Sequence, residues 1–212
     1  MEVRAATVGP VQENTYLVFP TGGDRAVIVD PGDEAERLLA LIADAGVTLE
    51  AILLTHTHFD HVGAVAEIAR ATGAEVWVPE LEEHILKDIN AYMSIPGFGP
   101  FESYDAEHTV AGGESLELAG LTFDVRFAPG HSPGHVVYLV RGEGAMLGGD
   151  VLFDKSIGRT DLPGGDTATL LTSIQTLMDE LPDETVVLPG HMGPTTIGEE
   201  RASNPFLQSL TR

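Results

Sequence analysis

Hydrophobic and polar positions alternate with a period of two in several short runs, and these predict strands over 3–8, 15–19 and 25–29. The third run ends at Asp30-Pro31-Gly32. Apolar residues then recur at helical spacing. Leu38, Leu41, Ile42 and Ala45 fall on one face, Asp33 with Glu36 predicts a capping box ahead of them, and Gly46 predicts the stop. A strand over 51–54 follows, then a helix with Val62, Val65, Ala66 and Ala69 inward that ends near Gly73, then a strand over 75–78. This alternation is that of an α/β protein.

From Lys87 to His108 the periodicity stops, and the stretch reads as a long irregular loop beside a site, with Tyr92, Met93, Phe98, Phe101 and Tyr104 among glycines and prolines. Aromatic residues that only pack the loop onto the core are the plainer reading. Strands resume over 115–118, 121–127, 135–140 and 145–148. Asp166 predicts the cap of a helix with Leu170, Leu171, Ile174, Leu177 and Met178 inward, ended by Pro182. A last strand over 186–188 and a short helix over 199–202 complete the pattern.

At 212 residues and 43% apolar, with no linker-like segment, the chain predicts one domain over 1–212. No basic leader precedes an apolar stretch, and no run approaches a membrane span, so a soluble, cytoplasmic protein is expected. The absence of cysteine excludes disulfides and thiolate ligands. A formal charge of −22, from 33 acidic and 11 basic residues, repels polyanions and argues against a nucleic-acid partner. Solubility or adaptation to salt are the blander meanings of that charge.

The chemistry is concentrated where strands end. The run 51–54 leads into Thr-His-Thr-His-Phe-Asp-His, which places His56, His58, Asp60 and His61 within six residues. The run 123–127 leads to Pro-Gly-His131, the run 145–149 to Asp150, and the run 186–188 to Pro-Gly-His191. Imidazole and carboxylate are ordinary ligands of zinc, iron and manganese, and sheet ends fix the loops that carry such groups. A lone histidine after a strand is more often a hydrogen-bonded structural residue, and Asp60 alone would serve as a helix cap. Five histidines and two aspartates placed in this way point instead to a metal site. His84 and His108, without such neighbours, read as surface or structural residues.

His-x-His-x-Asp-His with separate His131, Asp150 and His191 resembles the metallo-β-lactamase superfamily over essentially the whole chain. The stretch Ser-Ile-Gly-Arg-Thr-Asp-Leu-Pro-Gly-Gly-Asp at 156–166 and Asn204-Pro205-Phe206 resemble the short bacterial glyoxalase II-like hydrolases. The resemblance implies an αββα sandwich of two mixed β-sheets flanked by helices, which suits the order of elements. It implies two divalent ions, zinc first and iron or manganese as alternatives. His56, His58 and His131 would hold one, Asp60, His61 and His191 the other, and Asp150 would bridge them. A water shared by the two ions would be acidified toward neutrality and attack a thioester carbonyl, with Asp60 also orienting it. The implied substrate is a small glutathione-derived thioester, S-D-lactoylglutathione giving D-lactate and glutathione.

Around this core, Asp30 and His135 are expected to support the ligands by hydrogen bonds. Tyr92, Tyr104, Lys155 and Arg159 are candidates for substrate contact, with Arg159 and Asp161 also able to brace their loop by pairing. The 21 residues after His191 are too few for the C-terminal helical glutathione-binding domain of full-length glyoxalase II. Two other readings compete. A persulfide dioxygenase shares the ligand motif and the Gly-Arg-Thr-Asp loop but uses one iron held by two His and an Asp. A non-enzymatic metal-binding module is disfavoured, because structural zinc sites are closed and often cysteine-rich.

Overall fold

The computed structural model describes residues 1–92 and 99–208. In chain order the elements are β1 (Glu2–Val8), β2 (Glu13–Phe19), β3 (Arg25–Val29), α1 (Ala35–Ala45), β4 (Thr48–Leu53), α2 (Phe59–Val62), α3 (Val65–Thr72) and β5 (Glu75–Pro79). A 3₁₀ turn (Glu80–Glu82), α4 (Glu83–Lys87), α5 (Ile89–Tyr92) and β6 (His108–Val110) lead to β7 (Ser115–Leu118), β8 (Leu121–Phe127), β9 (Val136–Val140) and β10 (Ala145–Gly149). A hairpin of β11 (Leu152–Phe153) and β12 (Ser156–Ile157) precedes α6 (Thr167–Glu180), β13 (Val186–Pro189), β14 (Thr195–Thr196) and α7 (Ile197–Ser203).

Two six-stranded sheets result, in the orders β1-β2-β3-β4-β5-β6 and β14-β13-β10-β9-β8-β7. Both are mixed. In the first, β3 to β6 run parallel and β1 to β3 antiparallel; in the second, only β10 and β13 pair in parallel. Because side chains alternate across a strand, each central strand feeds two cores. Leu17 and Phe19 of β2 enter the core shared with Leu38 and Ile42 of α1 and with Ile68 of α3. Tyr16 and Val18 enter the core between the sheets, where they join Phe123, Val125, Tyr138 and Leu147. Behind the second sheet, Leu170, Ile174, Leu177 and Met178 of α6 pack with Val137, Met146 and Val187. Each such side chain, fully buried, contributes about 1.5–3 kcal/mol. The layers are therefore helix, sheet, sheet, helix, the αββα sandwich that the sequence predicts. Among the described residues no helix is long and apolar enough to cross a membrane.

Three local expectations need correction. The Asp33–Glu36 capping box does not form. Glu34 occupies the cap position with φ 52°, Asp33 Oδ1 accepts from its N–H at 2.6 Å, and the Glu34 carboxylate is drawn to Gly9 N and Arg37. The helix expected from Val62 to Gly73 is broken into α2 and α3, because Ala64 N–H donates to Pro31 O at 3.0 Å instead of continuing the helical ladder. The stretch expected to be irregular from 87 to 108 begins in helix α5 and ends in strand β6. Asn90 ties its two ends by accepting from Phe101 N and donating to Phe101 O. Met93 and Phe98 lie outside the described residues. The α6 cap stands as expected, with Asp166 Oδ1 accepting from Thr169 N at 2.7 Å.

Candidate metal centre

All seven predicted ligands come together at one end of the sandwich, carried by loops that leave β4, β8, β10 and β13. His56, His58 and His131 offer ring nitrogens within 4.8 Å of one another, and Asp60, His61 and His191 form a second group by the same measure. Asp150 lies between them. Its Oδ2 is 3.5 Å from His131 Nε2 and 3.6 Å from His191 Nε2, and its Oδ1 is 3.4 Å from His61 Nε2.

Four of the five imidazoles have one nitrogen tied to the surrounding protein and the other turned inward. His56 Nδ1 meets Thr55 Oγ1 at 3.0 Å, and His131 Nδ1 donates to the Arg159 carbonyl at 2.8 Å. His61 Nδ1 meets Asp30 Oδ2 at 3.0 Å, and His191 Nδ1 donates to Gln12 O at 3.2 Å. Such partners fix the tautomer and leave the inward nitrogen with a free lone pair. The Nε2 atoms of His56 and His131 then both face His58 Nδ1, at 3.1 and 2.8 Å, where at most one contact can be a hydrogen bond. His61 Nε2 and Asp150 Oδ1, 3.4 Å apart, are buried and make no hydrogen bond among the described residues. Buried polar atoms are ordinarily satisfied. Convergent lone pairs left unsatisfied are what a pair of cations would resolve, so the donor set fits the implied metals.

Electrostatics sorts the groups. Burial, with neighbouring imidazoles, pushes His56 well below the ordinary histidine range and His58 down to about 3; burial also lowers His131. They are held neutral, the form in which imidazole ligates. Burial also opposes charge on His61, but Asp150 and Asp60 outweigh it and raise that histidine well above its ordinary value. Asp60 and Asp150 are lowered, because the histidines around them overcome the cost of burial.

The supporting residues behave differently from one another. Asp30 accepts from Thr55 N at 2.7 Å and from Thr55 Oγ1 at 2.6 Å as well as meeting His61, so it fixes the start of the ligand loop. His135 stacks on His56 and accepts from Asp150 N at 3.0 Å. Glu82 was not singled out by the sequence. It is 1% exposed and accepts from Thr57 N at 2.7 Å, Thr57 Oγ1 at 2.9 Å, Gly134 N at 2.8 Å and Ser132 Oγ. One carboxylate thus joins the loop of His56 and His58 to the loop of His131. The only trace of it in the sequence is its place just after β5, within an acidic run.

Five of the candidate ligands, His58, Asp60, His131, Asp150 and His191, form the floor of an open cleft of about 680 Å³, with His56 and His61 buried beneath them. Tyr92 and Arg159 line it; Tyr104 and Lys155 do not. Tyr104 packs toward the helix-side core and donates to Glu107 Oε1 at 2.9 Å, while Lys155 Nζ lies 3.3 Å from Asp154. Arg159 pairs with Asp161 through two hydrogen bonds of 2.7 and 2.8 Å. His108 pairs with Glu75 and stacks on Trp77, away from the cluster, and His84 lies edge-on to Tyr92.

The family model for the metallo-beta-lactamase superfamily matches residues 8–191, which include every one of these ligands. The chain belongs to the metallo-β-lactamase superfamily. Among curated relatives, it is 37% identical to the hydroxyacylglutathione hydrolase GloC of Haemophilus influenzae, over 99% of each chain. Among solved structures, BLEG-1, a B3 metallo-beta-lactamase, superposes with a TM-score of 0.92 at 41% identity, over 98% of this chain and 100% of that one. TTHA1623 in a di-iron-bound form gives 0.81 at 42%, over 97% and 100%. ETHE1 from Myxococcus xanthus gives 0.78 at 29%, over 97% and 84%. This member of the superfamily is a metallo-hydrolase, with a cluster of His and Asp side chains suited to metal.

Proposed function

We propose that this metallo-hydrolase is a cytoplasmic thioester hydrolase of the glyoxalase II kind, with residues 1–212 acting as one domain on S-D-lactoylglutathione or a close relative. The observation that carries this is the convergence of five imidazoles and two carboxylates, several with unsatisfied lone pairs, at the floor of an open cleft. The likeness to GloC supports the choice of thioester.

In this reading His56, His58 and His131 hold one divalent ion, Asp60, His61 and His191 hold a second, and Asp150 is shared. Zinc is the first choice, and the di-iron form of a 42% identical protein supports iron as the alternative. When bound, such ions supply Lewis acidity and water that ionises near neutral pH. The chain supplies the rest. Asp60 is held ionised by His61 and His191, and its Oδ2, 3.2 Å from His191 Nε2, is placed to accept a proton from an attacking water. Phe59, Phe153 and Ile157 line the cleft with apolar surface for the substrate to lie against. A thiolate leaves without prior protonation, so no dedicated acid is required beside the leaving group.

The test is anaerobic hydrolysis of S-D-lactoylglutathione by metal-replete protein, followed as thioester loss, with His131→Ala as the blank. Turnover that disappears in the variant, from protein carrying two ions per chain, is the expected result. No turnover from protein shown to carry two ions would overturn it. The alternative, a mononuclear-iron persulfide dioxygenase, predicts one iron per chain and oxygen uptake with glutathione persulfide.

A further inference from the structure

Apart from the metal-ligating side chains, the cleft offers almost nothing polar. Its walls are Ile85, Phe153, Ile157, Leu162 and Met192, with a few further apolar neighbours, and the polar exceptions are Ser156, Arg159 and the hydroxyl of Tyr92. Arg159 is the single cation among the described lining residues, and its guanidinium is already taken by Asp161 in a two-point pair. Lys155 does not line the cleft, and the sequence of residues 93–98 contains no ionisable side chain. Tyr92 and Met192 stand 55% and 56% exposed at the rim, apolar area that a bound ligand would cover.

We infer that the cleft selects thioesters whose arm is apolar and uncharged, and discriminates against arms that carry a carboxylate. The inference rests on the thioester-hydrolase reading above and ranks the substrates it admits: a glutathione conjugate, with its two carboxylates, is turned over, and a neutral thioester is turned over faster. An apolar arm lies against side chains that lose water without losing a hydrogen bond, whereas a carboxylate lies mostly against carbon, with Tyr92, Ser156 and Arg159 as the donors on the walls. Each methylene buried against such walls is worth about a fourfold gain in kcat/KM.

Two series of thioesters test this on the metal-replete enzyme. In the first, the acyl group on N-acetylcysteamine is lengthened from acetyl through butanoyl to hexanoyl, with succinyl as the anionic member. In the second, the acetyl group is kept while the thiol changes from glutathione to N-acetylcysteamine to butanethiol. The expected result is a rise of about fourfold per methylene in the series whose arm enters the cleft, and a charged member at least about tenfold below its neutral counterpart. Which series rises identifies the arm. Leu162→Lys, which puts a cation on the wall, should narrow the gap between charged and neutral substrates by about tenfold; should that variant fail to fold, Met192→Lys at the exposed rim carries the same test. Flat profiles in both series, or a charged member equal to its neutral counterpart, would overturn the selectivity while leaving the hydrolase reading intact. Failure to hydrolyse any thioester would overturn the hydrolase reading and this inference with it.

Discussion

The two groups of candidate ligands on either side of Asp150 are built on opposite principles. His56, His58 and His131 are three neutral imidazoles, all buried, with burial itself the main cause of their lowered basicity. Asp60, His61 and His191 mix charge with imidazole, and the side chains of Asp60 and His191 are 14% and 23% exposed toward the cleft. Their props differ as well. The first group is tied through Thr57, Ser132 and Gly134 to one buried carboxylate, Glu82, whereas the second leans on Asp30 and the Gln12 carbonyl. A dry, neutral, cross-braced group is suited to holding an ion permanently. A partly open, charged group is suited to meeting substrate and proton.

The change that breaks the comparison outright is Asp150→Ala. It removes the one side chain within 3.6 Å of inward nitrogens from both groups. Metal content of both sites should fall together, and thioester hydrolysis should drop by more than the ten- to hundredfold expected when a residue that only props a ligand is lost. Elemental analysis beside steady-state rates checks it. Loss of one ion with the other fully retained would show that Asp150 is not shared.

Glu82→Ala should separate the groups instead. It leaves the buried N–H groups of Thr57 and Gly134 without an acceptor, at about 1–3 kcal/mol each. The metal-free protein should melt lower, and affinity for the ion at the first group should weaken about ten- to hundredfold, measured by competition with a chelator. Glu82→Gln, which keeps one acceptor oxygen, should recover part of the affinity. If both ions weaken equally in Glu82→Ala, the division into separately braced groups is wrong.

The convergence of the candidate ligands was legible in the sequence and their braces were not, for a physical reason. A ligand loop must follow a strand and carry His or Asp, and both signals are local: the apolar run to 54 before His56, the Pro-Gly turns before His131 and His191. A brace is defined by what it meets across the fold. Glu82 sits among Glu80 and Glu83 in a run that reads as a solvated face, and only packing against the 131–134 loop buries it. Asp30 was found because it ends a strand, as the ligands do. Tyr104 and Lys155 show the converse. Named as candidates for substrate contact, they lie outside the lining of the cleft, with Tyr104 turned toward the helix-side core and Lys155 toward Asp154. The layered fold was readable because strand alternation feeds two cores at once, whereas two-residue strands such as β11 and β12 have too short a period to register.

The smallest effects sharpen the comparison within a single loop. Residue 159 supports the first group through its backbone, since His131 Nδ1 donates to the Arg159 carbonyl, while the guanidinium faces solvent and pairs with Asp161. Exposed pairs of this kind contribute little to stability. Arg159→Ala keeps the carbonyl and should leave the thermal midpoint and the metal content unchanged within error. One residue earlier the expectation reverses. A Cβ at Gly158 would fall inside the contact radius of the Asp150 carbonyl oxygen and lie 3.2 Å from His131 Nδ1, so Gly158→Ala must shift the backbone that presents both groups. It should lower metal content and melting temperature where Arg159→Ala lowers neither. Equal loss in the two variants would mean that the Arg159–Asp161 pair, and not the close approach of the backbone at Gly158, holds this loop against the ligands.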